Sequence, residues 1–411
     1  MQNLATSKDD GYIYNMKNHV LFVILLSTFP FLLLADDWPG FLGPDRTGVS
    51  KETLPAKPAP QVIWKREIGI GFSSISVVGD RAYAMGHQDG KETVFCFDAL
   101  SGEVVWRHSY EGKLLPNLHE GGPAATPMID GEQLFTVGKQ GQMFSLNRHN
   151  GDITWEQDLR EVFEVKVPEW GFSASPLVDG NRLLLDLGPT VCIHKLTGKK
   201  VWATEAYKAG YGSVMRFEQE GESYYGTLNN DGLIVVDPIN GESLAFYKWP
   251  TSFDTNATTP LYHEGRLFVS TAYNKGCGLF TFDEGQIKVV YENKEMRNHM
   301  NNSILYGDYL FGFDRKAHNR RLVKLRCMKW DTGEITWSVE NLGCGSLIRA
   351  GEHLVVLSDQ GELLVAKANP EAFEPIVRKN VLDGKCWTPP ALANGVVYAR
   401  NAKGRLVAVK L

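Results

Sequence analysis

Short runs of strand-forming apolar residues recur along the chain, and glycines punctuate them at fixed offsets. Thr126-Pro127-Met128-Ile129-Asp130-Gly131 and Ser175-Pro176-Leu177-Val178-Asp179-Gly180 show how each unit opens. A small polar residue, often followed by proline, precedes an apolar run, a turn ending in Gly and a second apolar run; Thr259 to Gly265 is a one-residue variant. Asp-Gly between alternating apolar segments predicts a tight hairpin, because glycine accepts the positive φ that such turns require. Further on, Gly141, Gly232, Gly361 and Gly404 each introduce a third run, such as Gly232-Leu-Ile-Val-Val. A fourth run carries a tryptophan four residues after a glycine, in Asp98 to Trp106, Asn147 to Trp155, His194 to Trp202 and Lys329 to Trp337. The unit predicts four antiparallel strands.

The hairpin glycines are Gly79, Gly131, Gly180, Gly221, Gly265, Gly307, Gly351 and Gly395, spaced 52, 49, 41, 44, 42, 44 and 44 residues apart. A period in the forties built from four-stranded units predicts an all-β, eight-bladed β-propeller. The ends complement each other. The last unit stops at Gly404 to Leu411 without a fourth strand, while Val62-Ile63-Trp64-Lys65 is a spare strand before the first unit. Pairing them completes the last blade and leaves no long sheet edge open. The propeller is therefore expected over residues 62–411, after an extension over 36–61.

Val20 to Leu34 is an apolar run preceded by Lys17 and followed by Ala35. It is short for a bilayer span and suits a cleaved signal peptide over residues 1–35, with Met16 as an alternative start. A periplasmic or secreted protein is expected, the alternative being an uncleaved membrane anchor; an integral membrane protein is not. Forty-three basic against 48 acidic residues leave a net charge of −5, with no basic run, so nucleic-acid binding is disfavoured. Cys96, Cys192, Cys277, Cys327, Cys344 and Cys386 contain no Cys-x-x-Cys pair, and no metal site is expected. Cys96, Cys192 and Cys327 sit in apolar runs and read as buried thiols. Cys344 and Cys386 precede the innermost strands of neighbouring blades, which makes them the candidate disulfide.

The Asp-x-x-Thr/Ser/Asn-Gly-x-x-x-Trp motif resembles the tryptophan-docking motif of pyrroloquinoline-quinone (PQQ) repeat propellers, and the resemblance covers essentially the whole chain after residue 35. It implies that Trp64, Trp106, Trp155, Trp202 and Trp337 dock between blades. Asp37 to Ser50 looks like the leader of secreted PQQ-like proteins of planctomycete-type bacteria, with Gly40 and Leu42 where that leader carries Gln and Arg. Dehydrogenases of the wider family hold PQQ with Ca²⁺, a catalytic Asp, a Trp floor and often a disulfide of adjacent cysteines. This sequence lacks a Cys-Cys pair and the long insertions of those enzymes. Its short blades resemble the BamB-like outer-membrane-assembly propeller, a scaffold without cofactor.

In this fold the segments entering the innermost strands surround one mouth of the channel. Here they contribute Phe72, His119, Glu120, Trp170, Tyr211, Asp254, Asn256, Arg297, His299, Asn301, Asn302 and Trp387, with Cys344 and Lys385 beside them. Apolar walls with a few polar groups suit a ligand pocket; equally, the rings could plug the channel while the polar residues cap loops. Trp170 is a candidate floor, and Asp254 with Asn256 candidate oxygen ligands for calcium. His119 and Glu120 form a candidate acid–base pair. The expectation is a non-enzymatic binding or scaffold protein, a monomer without cofactor, whose partner is an envelope or extracellular protein or a glycan. The alternatives are a PQQ-dependent alcohol or sugar dehydrogenase, with catalytic residues unassigned, and a glycan-binding module.

Overall fold

The computed structural model describes residues 36–316 and 322–411; the predicted signal segment lies outside the described residues. These residues form eight sheets, each built on an antiparallel four-stranded blade contiguous in sequence except the last, with one added strand on the sheet of blade 7. Blade 1 is typical, with strands Ser76–Val78, Arg81–Gln88, Lys91–Asp98 and Val104–Glu111 paired in order. The first strand of each blade is short and innermost. The fourth is outermost, and most of its positions are exposed or half-buried, as on the solvated edge of a sheet.

All eight hairpin glycines have positive φ. At seven of them a Cβ would meet nothing within 4 Å, so the turn selects glycine for backbone conformation alone. The glycine opening the fourth strand of blades 1 to 4 has a second reason. A Cβ on Gly102, Gly151, Gly198 or Gly241 would stand 2.5–2.8 Å from the ring of Trp64, Trp106, Trp155 or Trp202 on the preceding blade. Each of these four indoles is less than a tenth exposed. Trp64, Trp106, Trp155 and Trp337 donate Nε1–H to a carbonyl of the next blade, respectively Ala99, Arg148, Lys195 and Asn369, at 2.8–2.9 Å. Gly and Trp are thus two halves of one inter-blade contact. Blade 4 has Ala245 at the ring position, and blade 5 places Tyr291 against Gly333.

The small polar residue opening each unit links neighbouring blades around the channel. Backbone N–H groups of Ser74, Thr126, Ser175 and Ser213 donate to the hydroxyls of Thr126, Ser175, Ser213 and Thr259, at 2.9–3.1 Å. Asn302 continues this belt by donating to the Thr259 carbonyl at 2.7 Å.

Closure follows the expected scheme. Gln61–Glu67 pairs antiparallel with Arg405–Lys410, from Gln61↔Lys410 to Glu67↔Arg405. Arg400 secures the seam: fully buried, its guanidinium donates to the carbonyls of Gly69, Ser73 and Met85 on the blade 1 side. Burial without a carboxylate lowers its pKa to about 9.

The extension lies across one end of the channel. Trp38, fully buried, pairs with Val77 of blade 1, and the Pro39 carbonyl accepts from Ile129 of blade 2. Arg46 donates to the Ser175 and Pro176 carbonyls of blade 3. Val49–Ser50 then adds a parallel strand to the innermost strand of blade 7, and Glu52 accepts from Gly395 of blade 8. One segment therefore touches blades on both sides of the axis and closes that end.

All six cysteines are free and buried, which overturns the expected Cys344–Cys386 bridge. Both backbone N–H groups are committed to Asp359, at 3.1 and 3.0 Å. From there the thiols face different partners. Cys344 Sγ lies 3.9 Å from Arg315 Nη1, whereas Cys386 Sγ faces the Asp383 and Gly384 carbonyls.

Candidate functional site

Strand direction alternates, so two kinds of segment emerge at the open mouth: those entering the innermost strands, and the turns between second and third strands. Together they enclose a cavity of about 190 Å³, and Phe41 of the extension also lines it.

The walls are aromatic. Phe72 and Trp387 stack with centroids 5.9 Å apart and 25° between planes, and His119 meets Phe72 edge-on at 5.3 Å. Trp170 meets Tyr211 edge-on at 5.5 Å and anchors its indole N–H on the Asn117 carbonyl at 3.1 Å. Tyr273 and His299 are edge-on at 5.0 Å, with the Tyr273 hydroxyl 3.1 Å from His299 Nε2.

Two cations line the cavity, Lys139 and Arg315. Lys139 is 2% exposed; its Nζ has Ser173 Oγ at 3.5 Å as a hydrogen-bond partner. Burial lowers its pKa to about 8, against the opposing charge of Glu92. The Glu92 oxygens accept from the Tyr110 hydroxyl and from the Lys139 backbone N–H, and burial raises that carboxyl. Burial also holds His119 down to about 4, with the Lys139 charge adding to the shift. Gly121 N–H donates to His119 Nδ1 at 3.0 Å, which leaves Nε2–H as the donor of the neutral ring.

Of the twelve residues expected at the mouth, Phe72, His119, Trp170, Tyr211, His299 and Trp387 line the cavity. The other six are engaged elsewhere. Glu120 pairs with Lys385 at 2.9 Å, not with His119. Asp254 lies in an exposed loop, 3.4 Å from Lys208. Asn256 is fully buried: its amide donates to the Asn229 and Trp249 carbonyls, and its oxygen accepts from Thr271. Arg297 forms a buried two-pronged pair with Asp314 at 2.6 Å, Asn301 donates to the Gly345 carbonyl, and Asn302 belongs to the inter-blade belt. Sequence reasoning missed Phe41, Lys139, Thr255, Tyr273 and Arg315. Lys139 and Tyr273 come from turns between second and third strands, which the alternation of strand direction places at this mouth.

A family model described as outer membrane protein assembly factor BamB matches residues 90–339, more than half of the chain. The chain belongs to this PQQ-like propeller family. BamB from Moraxella catarrhalis is similar in structure, with TM-score 0.61 and 14% identity over 86% of this chain and 98% of that one. Quinohemoprotein alcohol dehydrogenase from Comamonas testosteroni gives TM-score 0.72 and 10% identity over 91% and 80%. A europium-containing methanol dehydrogenase gives 0.70 and 11% over 92% and 98%. At such identities these likenesses speak for the fold alone. No curated protein matches the sequence.

The expected alternative, a quinone held with calcium, can be tested on the donor set of the cavity. Calcium with PQQ needs several hard oxygen ligands. No carboxylate lines the cavity among the described residues, and its charged groups are Lys139 and Arg315. Asp254 and Asn256 do not line it, and the Asn256 side chain is consumed by the fold. No group of three or more His, Cys, Asp or Glu among the described residues is placed to hold a metal. The residues present do not fit a calcium-held quinone.

Proposed function

We propose that this chain is a non-enzymatic binding propeller of the bacterial envelope, taking its target, a protein or a surface glycan, at the open channel mouth. The observation that carries this reading is the make-up of the cavity: rings, hydroxyls and two cations, without a carboxylate among the described lining residues. Oxidation of an alcohol needs a general base in reach of the reacting proton, and His119, held to about 4, is a weak one. Envelope location is supported by the apolar run Val20 to Leu34 and by the family description of an outer membrane assembly factor. No described helix is long and apolar enough to cross a membrane.

The test has two arms. Purified protein incubated with PQQ and Ca²⁺ should show no dye-linked alcohol oxidation; turnover requiring both additions overturns the non-enzymatic reading. Immobilised protein should retain an envelope component that the Phe72→Ala/Trp170→Ala double variant does not retain. Equal retention by both would move the binding surface away from the mouth.

A further inference from the structure

We propose that the cavity is built for a terminal sugar acid, a single ring whose carboxylate sits on Lys139 and whose hydroxyl meets Thr255. This deepens the binding reading and rests on it.

Lys139 is the first observation. A buried ammonium is unfavourable unless a counter-charge or good acceptors meet it. Its Nζ has one acceptor at 3.5 Å and forms no ion pair among the described residues. The nearby Glu92 carboxylate is occupied by Tyr110 and by the backbone N–H of Lys139 itself. Lys139 lines a cavity whose described residues include no acid. Glu92 acts on the ammonium only through space, and an anionic ligand in the cavity gives Nζ a direct ion pair.

Thr255 is the second. Its Oγ1 is buried without a hydrogen-bond partner, in a residue that lines the cavity. Thr255 precedes the innermost strand of blade 5, while Lys139 belongs to a turn of blade 2, three blades round the mouth. A ligand satisfying both must carry an anionic group, as the carboxylate of a sugar acid is, and, separated from it, a hydroxyl. Phosphate or acetate would leave Thr255 unmet, and an aromatic acid without hydroxyls would do the same. Trp170, Tyr211, Phe72 and Trp387 provide flat apolar surfaces for the C–H faces of a sugar ring. At about 190 Å³ the space falls below the roughly 300–1,000 Å³ of ordinary ligand pockets, which suits one terminal ring.

Calorimetric titration of the full chain tests this with methyl β-D-glucuronide, methyl β-D-glucoside, benzoate and inorganic phosphate. The glucuronide should bind, with the other three about tenfold or more weaker, the scale of one lost charged or buried hydrogen bond. Lys139→Met keeps the apolar stem and should lower glucuronide affinity about tenfold or more without changing that of the glucoside. Thr255→Val should weaken the glucuronide and leave benzoate unchanged. Thermal melts confirm that both variants fold; should either fail, the wild-type ligand series decides alone. Glucoside binding as tightly as glucuronide overturns the proposal. So does phosphate or benzoate matching the glucuronide, or the absence of glucuronide binding at millimolar concentration. A protein that takes neutral sugars or an envelope protein at the mouth refutes the sugar-acid assignment and keeps the binding reading. Quinone-dependent turnover refutes the binding reading itself.

Discussion

The contact between Trp106 and Gly151 can be isolated by comparing two glycine substitutions. Gly151 has φ +79° and Gly221 has φ +84°, so alanine meets similar backbone strain at both. A Cβ on Gly221 would find nothing within 4 Å, whereas one on Gly151 would stand 2.7 Å from Trp106 Cε3 and 2.9 Å from Cδ2. Left-handed backbone costs alanine about 1–2 kcal/mol, and forcing a carbon into a packed contact adds about 1–3 kcal/mol. Gly221→Ala should therefore cost about 1–2 kcal/mol and Gly151→Ala about 2–5 kcal/mol. For a ring of this size each kcal/mol lowers the melting temperature by roughly 1–1.5 °C, so the melts should separate by about 1–4 °C. The decisive arm is the Trp106→Ala background. That substitution costs about 3–5 kcal/mol by itself, and it removes the ring that Gly151 must clear. Gly151→Ala in this background should cost only the backbone part, as little as Gly221→Ala does. Equal losses for the two glycines in wild type, or an undiminished loss at Gly151 without the indole, would refute the docking explanation of the motif.

Asp186 is fully buried, and burial pushes its carboxyl up to about 7, opposed by bonds from Gly188 N–H and the Thr227 hydroxyl. A folded value above the unfolded one favours the protonated acid. Its stabilisation is complete below about pH 4 and is lost as pH rises to about 7, an effect of at most about 4 kcal/mol. Denaturation of Asp186→Asn across that range should show a shallower pH slope than wild type; parallel slopes would discount Asp186. Burial also raises the Cys344 thiol and pushes Cys386 up to about 12. Six thiols should titrate in unreduced, unfolded protein and almost none in the native state, and fewer than six on unfolding would indicate a bridge. A chain beginning at Ile68 lacks the strand that covers Arg405–Lys410 and should aggregate. One beginning at Gln61 keeps that strand and should stay soluble while melting lower, having lost Trp38 and the rest of the plug; a soluble chain from Ile68 would refute closure.

What the sequence reveals here is what repeats. Hairpin glycines, docking tryptophans and the closing strand are each fixed by chemistry within one unit, so Gly131 or Trp155 can be read from its own neighbourhood. The extension is unrepeated, and its role depends on a ring that exists only after folding; nothing local in Trp38 to Glu52 says which blades it will touch. Residue type also fails to give orientation. Asn256 and His299 look alike as mouth candidates, yet one amide is used up on backbone carbonyls while the other residue lines the cavity. The turn between second and third strands sharpens this point. Corresponding positions in four blades are Lys139, Asn230, Asp359 and Ala402, all nearly buried. Asn230 and Asp359 use their side chains to cap backbone N–H groups of adjacent segments, those of Asn256 and Cys344, and Ala402 has nothing to satisfy. Lys139 carries the one side chain of the four that cannot accept a hydrogen bond and holds a charge. Where three blades use this site for packing or capping, blade 2 leaves a cation in the cavity. That departure from the repeat, more than any motif in it, sets blade 2 apart from the other three.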